Sequence, residues 1–233
     1  PVIFCTDGRF LPYTAVALSS LAAAARDGYN YDLLIVSGDK ILSEARQCLQ
    51  ASLGKKENIS IRFICIPESL KILTDKLSVR EGYSPVIYYR LFIPQLFKHY
   101  TKVIFCDADV LFLRGIEELY NQSLPQNLLL AAVPDSLPYS GTEQAQKNFA
   151  AYTRRLGLKT PFSYINSGVL LWNLEQTRSQ KLDKQLWQKL PLLPKPSLFP
   201  DQDVLNLVFQ GKIFYLTAAY NFFAQEPDIR PPF

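Results

Sequence analysis

The sequence predicts an α/β fold with a mostly parallel central sheet flanked by helices, and three observations carry that prediction. Short apolar runs recur without polar alternation, as central strands covered on both faces require. Stretches of helical periodicity lie between several of them. Prolines and capping residues mark the boundaries.

Taken in order, VIFC (2–5) opens the chain as a strand, and LPYTAVALSSLAAAAR (11–26) follows as an Ala-rich helix. LLIVS (33–37) is a second strand, SEARQCLQASL (43–53) a second helix and IRFICI (61–66) a third strand. YSPVIYYRLFIPQLF (83–97) begins a helix with Ser84 as N-cap and Pro85 as its first residue. Pro94 is expected to kink or end it. KVIFCD (102–107), LLLAAV (128–133) and GVLLWN (168–173) complete the strands. SLPYSGTEQ (136–144) reads as a loop, and the four prolines of PLLPKPSLFP (191–200) exclude a regular helix. There is no internal repeat. One domain over 1–233 accounts for the chain, with a first half, 1–113, and a looser second half, 114–233.

Composition narrows the class. Hydrophobic residues make up 48% and charged residues 20% of the 233, a globular balance. No apolar stretch is long enough for a transmembrane helix, and no signal peptide is visible. The net charge of +4, with both signs interspersed, argues against nucleic acid as a partner but leaves room for an anionic ligand or membrane surface. Cys5, Cys48, Cys65 and Cys106 form no CxxC pair, and buried reduced thiols in a cytoplasmic setting are expected. The chain opens directly into a strand, so an upstream segment is expected to be missing.

The sequence FCDADVLFL (105–113) sets two aspartates inside an apolar run. Residues i and i+2 of an extended strand share a side, about 6–7 Å apart. Asp107 and Asp109 would therefore face one site if the strand continued through Ala108. Two like charges there call for a cation, and carboxylate oxygens suit Mn²⁺ or Mg²⁺, which commonly bridge to diphosphates. Ligands of open α/β sheets bind beyond the carboxyl ends of the strands, and Asp107 ends one. The plain alternative is that each Asp caps a turn. Among enzymes, two classes end a strand in DxD: haloacid-dehalogenase-like phosphatases and nucleotide-sugar transferases. The first needs a later Lys and a further Asp pair ending a strand. No such pair follows position 109; YINSGVLLWNL (164–174) and FPDQDVLNLVFQGKI (199–213) follow instead.

With those segments in view, nearly the whole chain resembles glycosyltransferase family 8. IFCTDGRFLPYTAVALSSL is similar to the family's opening strand and helix, YYRLFIPQLF to its arginine segment, and FCDADVLFL to its metal motif. YINSGVLLWNL and PDQDVLN are similar to the segments lining the donor sugar. The resemblance implies a GT-A fold, with a Rossmann-like, mostly parallel sheet and a loop-rich acceptor half. It implies retaining transfer of glucose or galactose from a UDP-hexose donor to a saccharide or glycolipid acceptor, in cell-surface or lipopolysaccharide synthesis, with Mn²⁺ or Mg²⁺. A UDP-sugar-binding protein on the same fold, weak or inactive in catalysis, is the alternative.

Residue by residue, the resemblance puts Asp7 at the nucleotide, Arg90 at the donor phosphate and Asp107 and Asp109 on the metal. It puts Asp135, Asn166 and Asp203 at the donor sugar, and Gln202 with Asp201 at the reacting centre. Glutamine is a poor nucleophile, which favours same-face attack with Gln202 acting as a dipole. Each residue also has a structural alternative: a turn for Asp135 and Asn166, an N-cap for Asp201, the first helical turn for Gln202, an exposed helix position for Arg90. The family's further metal-ligating histidine lies in an HxxGxxKPW motif, whereas the single histidine here, His99, precedes the aspartates and reads as a helix-end residue. The resemblance thus implies a C-terminal tail beyond Phe233, peripheral membrane association through it, and a poorly ordered arm at AQEPDIRPPF (224–233).

Overall fold

A computed structural model describes residues 1–77, 79, 83–194 and 197–222, so the expected arm at 224–233 lies outside the described residues. The chain divides into two compact units, Pro1–Ser123 and Leu124–Phe233.

In the first unit the elements are β1 (Val2–Cys5), α1 (Leu11–Ala24), β2 (Tyr31–Ser37), α2 (Ser43–Ala51), β3 (Ile59–Cys65), α3 (Glu68–Asp75), α4 (Ile93–Leu96), β4 (Lys102–Cys106) and α5 (Glu117–Tyr120). The four strands are parallel in the order β3-β2-β1-β4. Ile3, Phe4, the Leu33–Val36 run and Val103–Cys106 are almost entirely buried, which is why these runs carry no polar alternation. β3 departs from the expectation of two covered faces: its residues alternate between intermediate and exposed, as suits a strand with β2 as its only described neighbour. Cys65 is exposed there, as is Cys48 on α2; Cys5 and Cys106 alone are buried, and all four thiols are free.

The segment at 85–97 is not one helix. A 3₁₀ helix, Pro85–Phe92, is capped by the Ser84 side chain accepting from Val86 N–H, and α4 then starts with Pro94 in its first turn. Pro94 begins the α-helical part rather than ending it, because a proline in the first turn loses no helical hydrogen bond. His99 is exposed in the turn beyond α4.

The second unit holds β5 (Leu130–Pro134), α6 (Glu143–Leu156), β6 (Ile165–Asn173), α7 (Leu174–Ser179), α8 (Leu182–Lys189), α9 (Pro200–Val208) and β7 (Ile213–Tyr215). Its strand order is β6-β5-β7, with β5 parallel to β7 and antiparallel to β6. Thr142 caps α6 by accepting from Ala145 N–H, so the stretch read as a loop ends in a helix start. Trp172 anchors the interior: it is 0% exposed, donates to Thr177 Oγ1 at 3.0 Å and meets Phe209 edge-on at 5.6 Å.

Candidate functional site

The first unit gathers its candidates at the carboxyl edge of the sheet. β1 and β4 are parallel neighbours in register, Phe4 opposite Cys106. The chain runs outward from β1 through β2 to β3, then returns to the other side of β1 for β4, so strand order reverses between β1 and β4. That reversal opens a crevice where open α/β sheets take ligands. Asp7 follows β1 and Asp107 follows β4 at this edge.

Asp7 is half-buried and caps the turn into α1. Its Oδ1 accepts from Arg9 N–H at 2.9 Å and Phe10 N–H at 3.2 Å, while Oδ2 lies 3.7 Å from the Arg9 guanidinium. Arg90 is only 7% exposed, which excludes the surface-helix alternative. Its guanidinium donates to Asp107 Oδ1 at 2.7 Å and to Ile87 O at 3.1 Å, and covers the Phe105 ring at 4.7 Å. Burial pushes the nearby Cys5 thiol up to about 12, against the pull of Arg90, so this cysteine stays protonated.

The extended geometry does not continue through the aspartates. β4 stops at Cys106; Ala108 and Asp109 form a turn, with Ala108 buried and Asp109 exposed. A charged side chain has no place inside a sheet covered on both faces, so the chain leaves it at the first carboxylate. The turn, rather than strand alternation, sets how the two carboxylates are presented. Among the described residues no group of three or more His, Cys, Asp or Glu is placed to hold a metal ion. The pair is nonetheless an oxygen donor set of the kind a hard divalent cation takes, with further ligands to come from outside the described protein groups.

The second unit brings together a different set. β5 ends beside the start of β6 because the two are antiparallel, Pro134 opposite Ile165, with a register shift between Ala132 and Pro134. Asp135 and Asn166 therefore meet across 31 positions of sequence: Asn166 Nδ2 donates to Asp135 Oδ2 at 3.2 Å. Asp135 Oδ1 accepts from Leu137 N–H at 2.9 Å, so its turn role is also realised. Asn166 Oδ1 accepts from Gly168 N–H and from Asn221 Nδ2, each at 2.8 Å.

Gln202 joins this set from α9. Its Oε1 accepts from Ser167 N–H at 2.9 Å and lies 3.3 Å from Ser167 Oγ; its Nε2 donates to Asp135 Oδ2 at 3.0 Å. Ser167 N–H can only donate and an ionised Asp135 can only accept, so the direction of the amide is unambiguous. Asn206, one turn further along α9, holds the start of β6 by accepting from Ile165 N–H at 2.7 Å and donating to Ile165 O at 3.0 Å.

Asp201 is not the N-cap: Phe199 is, and Pro200 and Asp201 occupy the first turn, because proline takes that place more readily than the cap itself. Asp201 is 7% exposed. Asp203 is fully buried and points inward. Its Oδ1 accepts from Tyr164 OH at 2.6 Å; its Oδ2 accepts from Ser197 Oγ at 2.6 Å and from Tyr152 OH. Burial raises its carboxyl above the ordinary value, and the three hydroxyl donors oppose that rise. In this arrangement both oxygens serve the protein interior rather than a ligand.

Ser167, Tyr152, Tyr164, Ser197 and Asn221 were not singled out from sequence. Ser167 and Tyr164 sit inside the quoted YINSGVLLWNL segment; Tyr152 has no local signal, since only tertiary contact brings it to α9.

The family model for Glycosyl transferase family 8 matches residues 1–227. The Lipopolysaccharide 1,2-glucosyltransferase of Escherichia coli is 26% identical over 224 residues, covering 94% of this chain and 61% of that protein. The apo structure of the WbbM bifunctional glycosyltransferase superposes with a TM-score of 0.76 at 25% identity, over 94% of this chain and 38% of that one. The galactosyltransferase LgtC, solved with donor and acceptor sugar analogues, gives a TM-score of 0.74 at 23% identity, over 93% of this chain and 73% of that one, and so supports the fold. The chain spans less than two thirds of the length of the curated relatives it matches first.

Proposed function

The chain belongs to glycosyltransferase family 8, and from that membership we propose that it is a retaining hexosyltransferase moving glucose or galactose from a UDP-sugar to a saccharide or glycolipid acceptor. The observation that carries the reading is the polar set Asp135–Asn166–Gln202–Ser167. It is buried or nearly so, drawn from three elements, and oriented without ambiguity. The names of similar bacterial proteins support cell-surface or lipopolysaccharide glycans as the setting, and hence the cytoplasmic side of the membrane as the place of action. No described helix is long and apolar enough to cross a membrane.

Roles follow from chemistry. Asp7 meets the uracil or ribose through its Oδ2 edge. Arg90 offers fixed positive charge to the diphosphate as it departs, worth most in a site sheltered from water. Asp107 and Asp109 would hold Mn²⁺ or Mg²⁺, which would neutralise charge building on the leaving diphosphate. Asp135 and Asn166 hold sugar hydroxyls. In the transfer the anomeric C–O bond to the diphosphate breaks, the acceptor oxygen bonds to the same carbon from the same face, and its proton goes to the leaving phosphate oxygen. Positive charge then develops on the sugar ring, and the Gln202 carbonyl is the dipole that meets it. One Oε1 lone pair is held by Ser167 N–H; the longer contact to Ser167 Oγ is the one the sugar can replace. Asp201, in the same helical turn, adds negative charge nearby.

Incubation with UDP-glucose and UDP-galactose, with and without Mn²⁺ and a saccharide acceptor, tests the reading. Release of UDP with an α-configured product is expected, as in the donor. Tight UDP-sugar binding with no turnover would instead support a binding protein on the same fold. No binding of either donor would overturn both.

A further inference from the structure

We infer that Asn221 is a positioning residue for Asn166: its amide donates to Asn166 Oδ1, fills that oxygen's second lone pair, and leaves Asn166 to meet the donor sugar as a hydrogen-bond donor only. This rests on the reading of Asn166 given above. The topology brings the two together across 55 positions of sequence. β7 runs parallel to β5, so both end at the same edge of the sheet; β6 is antiparallel to β5 and therefore starts there. Asp135 follows β5, Asn166 is the second residue of β6, and Asn221 lies six residues beyond β7. Leu216 N–H donates to Ala132 O at 2.9 Å, and the turn at Ala218–Tyr220 closes with Asn221 N–H on Ala218 O at 3.2 Å. The backbone that carries the Asn221 side chain is therefore held as well.

A side-chain amide has two lone pairs on its oxygen and two protons on its nitrogen. Asn166 Oδ1 accepts from Gly168 N–H and from Asn221 Nδ2, each at 2.8 Å, which uses both lone pairs. Gly168 N–H can only donate, so the Asn166 oxygen must face it, and Asn221 must present its NH₂ there. On the nitrogen side one proton goes to Asp135 Oδ2 at 3.2 Å. Among the described residues nothing takes the second N–H, and this is what the half-buried Asn166 offers a ligand. Such a group takes a sugar hydroxyl through its oxygen and cannot accept its proton. Gly168 and Asp135 already set the direction of the amide; what Asn221 adds is to close its oxygen to the substrate.

The test contrasts two substitutions. Asn221→Asp keeps the shape but sets an acceptor against the Asn166 oxygen. The donor KM should rise on the order of 10-fold with kcat little changed, the pattern of lost ground-state binding. Asn221→Ala removes more atoms, yet a water can serve the vacated lone pair, so KM should rise about 3-fold at most. A packing role predicts the reverse order, and that order would overturn the inference. UDP alone should bind the native protein and both variants equally. A UDP affinity that falls as far as that for UDP-sugar places the effect in the fold or in long-range charge, and the inference fails. In an Asn166→Ala background Asn221→Asp should cost nothing further, because its target is gone; an equal loss in both backgrounds removes the coupling. Normal UDP-sugar binding by Asn166→Ala itself defeats the reading of Asn166, and the inference with it. Should Asn221→Asp fail to fold, the native protein supplies the readout. UDP-sugars with single hydroxyls replaced by fluorine or by hydrogen are compared by calorimetry, and the position facing Asn166 is the one whose replacement costs nothing further in Asn166→Ala. Fluorine accepts but cannot donate, so at that position it should be tolerated better than hydrogen; no advantage of fluorine there refutes the donor-only role.

Discussion

Arg90, itself buried, meets the half-buried Asp107 carboxylate at 2.7 Å, so Asp107 has a cationic partner within the protein itself. Any divalent cation must therefore share this carboxylate with Arg90 or displace it. Asp107→Asn and Asp109→Asn should each weaken Mn²⁺-dependent UDP binding by at least the roughly 10–100-fold that even outer partners of a metal site contribute. Titration calorimetry of UDP with and without Mn²⁺ measures this, and unchanged metal dependence in both variants removes the two from the metal. Gln202→Ala should lower kcat on the order of 10²–10³-fold, the size seen when one preorganised transition-state dipole is lost. Its donor KM should change far less, since the charge it meets exists only in the transition state. A raised KM at normal kcat would mean that Gln202 merely binds the sugar.

Helix α6 ends on Gly157, whose φ of 89° lies in the left-handed region. Gly157 N–H and Leu158 N–H close back onto Arg154 O and Thr153 O, at 2.9 and 3.0 Å. A side chain there pays the left-handed penalty, so Gly157→Ala should cost about 1–2 kcal/mol in denaturant unfolding. α6 carries Tyr152, so that loss would reach the Asp203 cage as well. Strand β6 is held by Trp172, which fills the space against Phe209. Trp172→Ala should cost about 3–5 kcal/mol, enough to unfold a marginal domain. A change of less than about 1 kcal/mol would mean that the interior closes over the vacancy.

Stability of the chain should fall at alkaline pH, and the tyrosines say where. Burial, reinforced by the hydrogen bond to Asp203, raises the Tyr152 phenol from 10.0 to about 12. A phenol harder to ionise in the folded state contributes stability that is complete below pH 10 and lost as pH rises through about 12. Asp203 has the same sign lower down: its raised value means stability is gained as pH falls through it towards the ordinary carboxyl value. Melting temperatures measured from mildly acidic to strongly alkaline pH, alongside phenolate absorbance, test this. In Tyr152→Phe the alkaline fall should be shallower; an identical profile would place the titrating group elsewhere.

The strands and first helices were legible because their causes are local. A run such as LLIVS has one way to hide its side chains, and LPYTAVALSSL carries helical spacing with proline in the first turn. Asp107 was legible as the charge that ends a buried run, and the segments around Asp7, Arg90, Asn166 and Gln202 were legible by resemblance. Pairing was not. The antiparallel register of β5 and β6 puts Asp135 against Asn166, and no feature within either segment specifies that register. Nor does local sequence show that Asp203 faces inward while Gln202, one residue earlier, faces Asp135. Adjacent helical positions point about 100° apart, and which of them meets the tyrosines depends on how α9 packs against α6 and β6. Contacts between residues far apart in sequence settle those directions, because a buried carboxylate is tolerated only where the rest of the fold delivers its hydrogen-bond donors.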